Sequence, residues 1–287
     1  METAIITTGG LGTRLLTFTK TNPKTMLPVY EKSRDENTEP SLRPLIEFIF
    51  ENLYDQKFRR FCFVVGKKTQ NIIKSHLLPD SKYIELLEKR NNALDKRFIK
   101  TLNRVYKKIN NCEISWIIQN TPMGFGHALL STKKFVENKP FLLHTGDAYF
   151  PSYQFISKMI NTHDKNQYTK ATILLQQMQN LKGLGIAQCI KKQNFLKIID
   201  VEEKPKEPKS NFAILPVYIF EPNIFQALKK TNNGYNNELQ VTDAITTILK
   251  QKQLVMGFNY KQKWYDIGSP KNYLDALNYS YKNSIKV

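Results

Sequence analysis

Ala4-Ile5-Ile6-Thr7-Thr8-Gly9-Gly10-Leu11-Gly12-Thr13-Arg14-Leu15 is the stretch that decides how this chain is read. A short apolar run stops abruptly at a glycine pair, and an arginine follows. Ten residues beyond Arg14 stands Lys24, within Asn22-Pro23-Lys24-Thr25-Met26-Leu27-Pro28. An opening strand that empties into glycines lets backbone N–H groups approach phosphate oxygens. The cations beyond it can neutralise a polyphosphate. Two commoner phosphate loops are excluded. Gly66-Lys67-Lys68-Thr69 has Phe61 where the Walker pattern needs its first glycine. Gly10 and Gly12 are followed by Leu15 where a dinucleotide fingerprint needs glycine.

The remaining 275 or so residues are read outward from that loop. The chain has 287 residues and is 41% hydrophobic, enough for a substantial core. Its net charge of +18 raises the question of nucleic acid. The lysines, however, are spread along the whole chain, and no zinc-finger spacing or aromatic RNA-binding signature is present. A cationic surface suits small anionic substrates equally well, so the expectation is no nucleic-acid partner. Cys62, Cys112 and Cys189 are scattered and show no metal-ligand spacing, so they read as reduced and structural. No apolar run reaches membrane-spanning length, and Met1-Glu2-Thr3 leads directly into the first strand. A cytoplasmic protein without a membrane partner is expected.

Strand-like and helix-like runs alternate, which predicts an α/β fold: a Rossmann-like three-layer α/β/α domain around a mixed, mostly parallel sheet. Strands are expected at 3–7, 61–65, 114–118, 141–143, 171–176, 186–190, 196–201, 213–220 and 254–258. Helices are expected at 44–54, 69–77, 126–136, 153–162, 222–230, 239–251 and 270–281. Between 82 and 109 the apolar positions follow helical spacing, but Arg90 interrupts the stripe, so one long helix and two shorter ones both fit. Residues 30–42 carry charges of both signs without periodicity and read as an inserted surface loop. The whole of 1–287 reads as one domain in two halves, residues 1–150 and 151–287.

Four further stretches carry chemistry-bearing residues. Gln119-Asn120-Thr121-Pro122-Met123-Gly124-Phe125-Gly126-His127-Ala128 follows a strand. Gln119 can donate and accept at once, as the edge of uracil or thymine requires. His127 opens a helix and is equally readable as a packing or capping residue. Leu143-His144-Thr145-Gly146-Asp147 places a carboxylate at a strand's carboxyl end, where open α/β sheets bind ligands. In Val201-Glu202-Glu203-Lys204-Pro205 neighbouring charges must share a bend, because an extended chain would point them apart. Trp264-Tyr265-Asp266-Ile267-Gly268 supplies a second carboxylate, and two carboxylates with phosphate oxygens and water suit Mg²⁺.

These five motifs, in this order over nearly the whole chain, resemble the sugar nucleotidyltransferase (nucleotide-sugar pyrophosphorylase) family. The resemblance implies transfer of a nucleotidyl group from a nucleoside triphosphate to a sugar 1-phosphate, with release of pyrophosphate. It implies that Gly9, Gly10, Gly12 and Thr13 hold the nucleotide, and that Arg14 and Lys24 contact its phosphates and stabilise the transition state. Gln119 and Gly124 would read the pyrimidine. Gly185 (in Gly183-Leu184-Gly185-Ile186), Glu203 and Lys204 would hold the sugar phosphate, and Asp147 and Asp266 would bind Mg²⁺. Glu238-Leu239-Gln240-Val241-Thr242-Asp243-Ala244 matches a family helix start and reads as mainly structural. No covalent nucleophile is required, since a sugar phosphate oxygen can attack in line.

The helical segment 82–109 looks like an insertion of bacterial-type UTP–glucose-1-phosphate uridylyltransferases, so UTP and glucose 1-phosphate are the expected substrates. A thymidylyltransferase using dTTP, or one acting on another sugar 1-phosphate, is the alternative within the family. A non-catalytic sugar-nucleotide-binding subunit is the alternative outside it, against which the presence of Arg14, Lys24, Asp147 and Asp266 argues. By resemblance the protein is a homo-oligomer, dimer or tetramer. The chain ends after its last helix, which leaves no expectation of a β-helical acyltransferase domain. It departs from the usual pattern at Thr8, Thr17, Thr25 and the 30–42 insertion; none of these removes a charged group the chemistry needs.

Overall fold

Periodic burial builds the sheet. In β1 (Thr3–Thr7) Ala4 and Ile6 point to one apolar cluster and Ile5 to another, all fully buried. In β4 (Arg60–Gly66) Phe61, Phe63 and Val65 join the first cluster while Cys62 and Val64 join the second. Side chains alternate along a strand, so a continuous apolar run is buried on both faces. Each such isoleucine or phenylalanine contributes about 2 kcal/mol by leaving water.

The computed structural model describes residues 1–10, 12–33, 39–121, 123–192 and 195–285. After β1 come the glycine loop and two 3-10 turns, Thr13–Lys20 and Lys24–Met26. Then follow β2 (Pro28–Glu31), β3 (Ser41–Pro44), α1 (Leu45–Asp55) and β4. Three helices, α2 (Gln70–Leu77), α3 (Ser81–Arg90) and α4 (Ala93–Asn110), lead to β5 (Glu113–Gln119). The first half closes with α5 (Phe125–Ser131), α6 (Lys133–Val136), β6 (Phe141–Thr145) and the short β7 (Ala148–Tyr149). The second half runs α7 (Gln154–Asp164), β8 (Thr169–Gln177), β9 (Ile186–Lys191), β10 (Leu196–Glu202) and β11 (Phe212–Phe220). It ends with α8 (Ile224–Lys230), α9 (Val241–Lys250), β12 (Leu254–Asn259), the short β13 (Tyr265–Asp266) and α10 (Pro270–Ser284).

The large sheet has the order β5-β4-β1-β6-β11-β8-β12-β10-β9. β10 and β11 run against the other seven strands, so the sheet is mixed and mostly parallel. Helices α1, α2, α4, α7 and α10 cover one face, and α5, α6, α8 and α9 the other. This is the expected three-layer α/β/α arrangement. The three cysteines are free thiols. No described helix is long and apolar enough to cross a membrane.

One open local reading is decided and two expectations are corrected. The 82–109 segment is two helices. Asn91 takes a left-handed conformation (φ 51°) and the Asn92 side chain accepts from the Asp95 N–H at 2.9 Å, capping the second helix. The 126–136 helix breaks at Thr132, whose hydroxyl donates to the Leu129 carbonyl at 2.7 Å. The 30–42 segment is not simply a loop: its ends form a hairpin, with Tyr30 opposite Leu42 and Glu31 opposite Ser41. Residues 34–38 of that insertion lie outside the described residues. Within it Glu31 is paired: Arg43, just beyond the segment and 3% exposed, engages Glu31 together with Glu47 and Glu51.

Candidate active site

The strand ends dictate the site. β1 releases the chain at Thr8, whose N–H and hydroxyl both donate to the Val64 carbonyl of β4 at 2.8 and 3.0 Å. The glycine loop is therefore anchored where it starts. Its far end is pinned by the Thr19 hydroxyl, which donates to the Gly12 carbonyl at 2.9 Å. Leu11 lies outside the described residues.

Next to β1, β6 ends at Thr145 and turns through Gly146, whose N–H donates to the Thr7 carbonyl at 2.7 Å. A Cβ on Gly146 would lie 2.9 Å from Thr8 Cγ2 and 3.1 Å from the Thr7 carbonyl oxygen. Only glycine allows this approach, and it sets Asp147 at the mouth of the sheet. There Lys24 Nζ donates to Asp147 Oδ2 at 2.9 Å.

Asp266 arrives from the other half. β13 pairs antiparallel with β7, Asp266 opposite Ala148, and the Ile267 N–H donates to the Asp147 carbonyl at 3.0 Å. Asp266 Oδ1 accepts from the Gly268 N–H at 2.8 Å, and Arg14 Nη2 approaches Oδ2 at 3.3 Å. Two carboxylates and two cations, widely separated in sequence, are thus alternated across one opening.

The two carboxyls are shifted in opposite directions. Burial alone would raise Asp147, but the charge and hydrogen bond of Lys24 outweigh it and hold it below the usual carboxylate range. Burial raises Asp266, and the negative charge of Asp147 raises it further, with Arg14 opposing. The site therefore carries like-charge repulsion that an added cation would relieve.

On one wall, Gln119 closes β5, nearly buried at 8% exposure. Gly124 follows with φ 96°, a conformation open to glycine, and a Cβ there would lie 2.6 Å from the Leu239 carbonyl. Pro122 between them lies outside the described residues. On the opposite wall, Lys204 bends the chain just after β10 with a left-handed φ of 46°. The bend lets Glu203 and Lys204 face the same opening, their side chains 3.5 Å apart. Gly185 lies against Glu203, leaving room for its carboxylate.

Gly9, Gly10, Gly12, Thr13, Arg14, Lys24, Gln119, Gly124, Asp147, Gly185, Glu203, Lys204 and Asp266 all line one cleft of about 550 Å³. Three contacts were not read from sequence. Thr242, read as structural, also lines the cleft, and its hydroxyl donates to Glu203 Oε2 at 2.7 Å. Tyr235 lies under the Lys204 ammonium, 4.7 Å from ring centre to Nζ. His127 lies outside the lining, with Nδ1 3.2 Å from Gln119 Nε2. Thr242 and Tyr235 meet their partners across 39 and 31 residues of chain, and no local signal announces that.

Comparison with known proteins agrees with this arrangement. A family model described as nucleotidyl transferase matches residues 3–283. The low-salt glycan biosynthesis nucleotidyltransferase Agl11 of Haloferax volcanii is 26% identical over 272 residues, 95% of this chain; the chain spans 64% of that relative's length. UTP–glucose-1-phosphate uridylyltransferase 2 of Streptococcus pyogenes is 30% identical over 290 residues, covering 98% of this chain and 90% of that one. Among solved structures, a UDP-glucose pyrophosphorylase complexed with UDP-glucose matches with a TM-score of 0.79 and 26% identity, over 99% of each chain. A phosphate-type glycine loop, paired cations and paired carboxylates at the ends of an α/β sheet thus sit in a chain that belongs to the nucleotidyl transferase family.

Proposed function

We propose that this protein transfers a uridylyl group from UTP to glucose 1-phosphate, giving UDP-glucose and pyrophosphate. The observation that carries the reading is the convergence of all five motifs on one cleft, with Lys24–Asp147 and Arg14–Asp266 alternating in charge at its mouth. The named activities of the S. pyogenes relative and of the UDP-glucose complex support the choice of substrates.

Each wall has a task in this reading. The backbone of Gly9, Gly10, Gly12 and Thr13 cradles the triphosphate. Gln119 and Gly124 meet the uracil edge. Glu203, fixed by Thr242, accepts from sugar hydroxyls, Lys204 takes the sugar's phosphate, and Gly185 leaves room for the ring. A phosphate oxygen of glucose 1-phosphate attacks the α-phosphorus of UTP, and the bond to the β-phosphate oxygen breaks as pyrophosphate departs. Arg14 and Lys24 then face charge that grows in the transition state, so they lower the barrier more than they tighten binding. The 1–150 half supplies the nucleotide side and the 151–287 half the sugar side. A homo-oligomer, dimer or tetramer, and a cytoplasmic setting go with this reading.

Enzymes of this family generally use a divalent metal. Asp147 and Asp266 fit Mg²⁺. They are two mutually repelling carboxylates beside a phosphate loop, and Mg²⁺ keeps waters and takes its remaining ligands from substrate phosphates. Among the described residues no group of three or more His, Cys, Asp and Glu forms a protein-only metal cage. When bound, Mg²⁺ supplies charge neutralisation at the reacting phosphates.

The test is pyrophosphate release by purified protein with Mg²⁺ and glucose 1-phosphate, run with UTP and dTTP in parallel. Faster release with UTP is the expected result. Equal or faster release with dTTP would move the chain to the thymidylyl branch. Release with neither nucleotide would overturn the assignment.

A further inference from the structure

Gln119 is held by two partners. Its Nε2 lies 3.4 Å from the Gly124 carbonyl oxygen and 3.2 Å from His127 Nδ1. A carbonyl oxygen can only accept, so the amide atom facing it must be the nitrogen; this removes the usual ambiguity of an amide's orientation. The second amide hydrogen then points to His127 Nδ1, which accepts while the imidazole carries its proton on Nε2. Both donors of Gln119 are engaged. Its Oε1 lies over the glycine loop, 2.8 Å from where a Cβ on Gly9 would sit, and accepts no hydrogen bond among the described residues.

From this geometry we infer that His127 is a positioning residue that locks the Gln119 amide, so that the cleft presents a fixed acceptor to the base and selects a pyrimidine whose N3 carries a hydrogen. The inference rests on the uridylyl reading above and names the substrate class that the reading requires. Uracil and thymine present N3–H. Cytosine presents a bare lone pair there, and acceptor would face acceptor. A site built around one hydrogen bond rejects the analogue that cannot make it, because its own buried group is left unpaired. Without His127 the amide keeps only the longer contact to Gly124, so turning its NH₂ toward cytosine costs one hydrogen bond instead of two.

Full-length protein with Mg²⁺ is titrated calorimetrically with UMP and with CMP, as wild type, His127→Phe and His127→Asn. Phenylalanine keeps a ring of similar shape without the acceptor, whereas asparagine offers an amide oxygen near the place of Nδ1. Thermal melting confirms that each variant folds; if phenylalanine does not, His127→Leu carries the same prediction. The wild type should prefer UMP by on the order of 100-fold. In His127→Phe that preference should fall about tenfold, and the Asn variant should recover most of it. With UTP and glucose 1-phosphate the loss should sit in KM, with kcat changed by no more than about twofold. A folded His127→Phe that keeps the wild-type preference overturns the lock. A wild type that binds UMP no better than CMP overturns it as well. A wild type that binds neither, and releases no pyrophosphate, overturns the uridylyl reading on which it stands.

Discussion

Two charge clusters in this molecule both pair cations with carboxylates, and they are built differently. Behind the β2–β3 hairpin, Arg43 is buried with Glu31, Glu47 and Glu51. His76 Nε2 approaches Glu47 at 2.7 Å, and Lys108 Nζ approaches Glu51 at 3.1 Å. Each charge there is enclosed by others, and the cluster ties the hairpin to α1 and α4. In the cleft, Lys24 and Asp147, and Arg14 and Asp266, meet singly. Arg14 keeps 61% of its side chain exposed, and Asp147 about a third. A saturated cluster has nothing left to offer a ligand. A cluster whose charges are held in single ion pairs leaves them available to a ligand.

Substitutions should separate the two clusters by what they damage. The largest effect is expected from Asp147→Ala or Asp266→Ala: turnover lower by at least about 10³-fold, roughly 4 kcal/mol of transition-state stabilisation, with the melting temperature almost unchanged. Arg43→Ala should reverse that pattern. Leaving buried carboxylates without their cation costs about 3 kcal/mol, read as a lower denaturation midpoint, while the folded fraction keeps its kcat.

A smaller effect comes from acid. Burial alone would raise Glu47, but the His76 hydrogen bond and the Arg43 charge bring its carboxyl down to about 2 from the ordinary 4.5. A depressed carboxyl stabilises the fold above its unfolded value, and that stability is lost as pH falls from about 4.5 towards 2. Its share is at most about 3 kcal/mol. Glu47→Gln should flatten stability over that window; an unchanged slope would show that another carboxyl dominates. The smallest effect is expected at Tyr235→Leu. Removing the ring under Lys204 should change KM for the sugar phosphate by no more than about threefold, the worth of an exposed cation–π contact.

What could be read from sequence, and what could not, follows the same division. The cleft's residues sit at or just after strand ends. An apolar run, then glycine, then charge marks the glycine loop and Asp147 in the sequence itself, whereas Gln119, Glu203 and Asp266 were named through the family resemblance of their motifs. The alternation in β1 and β4 likewise made the central sheet legible. The hairpin at 30–42 was not, because Glu31 finds its partner in Arg43 across the strand pair, and only proximity in space distinguishes a paired charge from a solvated one. At 82–109 the apolar stripe left one helix and two equally open, and the break lies in the left-handed Asn91 and the Asn92 cap, which are conformational rather than apolar features. Thr242 and His127 lie on helices whose patterns explain them as helix residues, so their hydrogen bonds to Glu203 and Gln119 had no trace in sequence.

The most direct test of the central claim is phosphorus NMR of wild type and Asp147→Ala, each with Mg²⁺, UTP and glucose 1-phosphate, at matched melting temperatures. The account predicts UDP-glucose and pyrophosphate resonances from the wild type and none from the variant over the same time. UDP-glucose formed by Asp147→Ala at the wild-type rate would contradict the assignment of this cleft as the place of reaction.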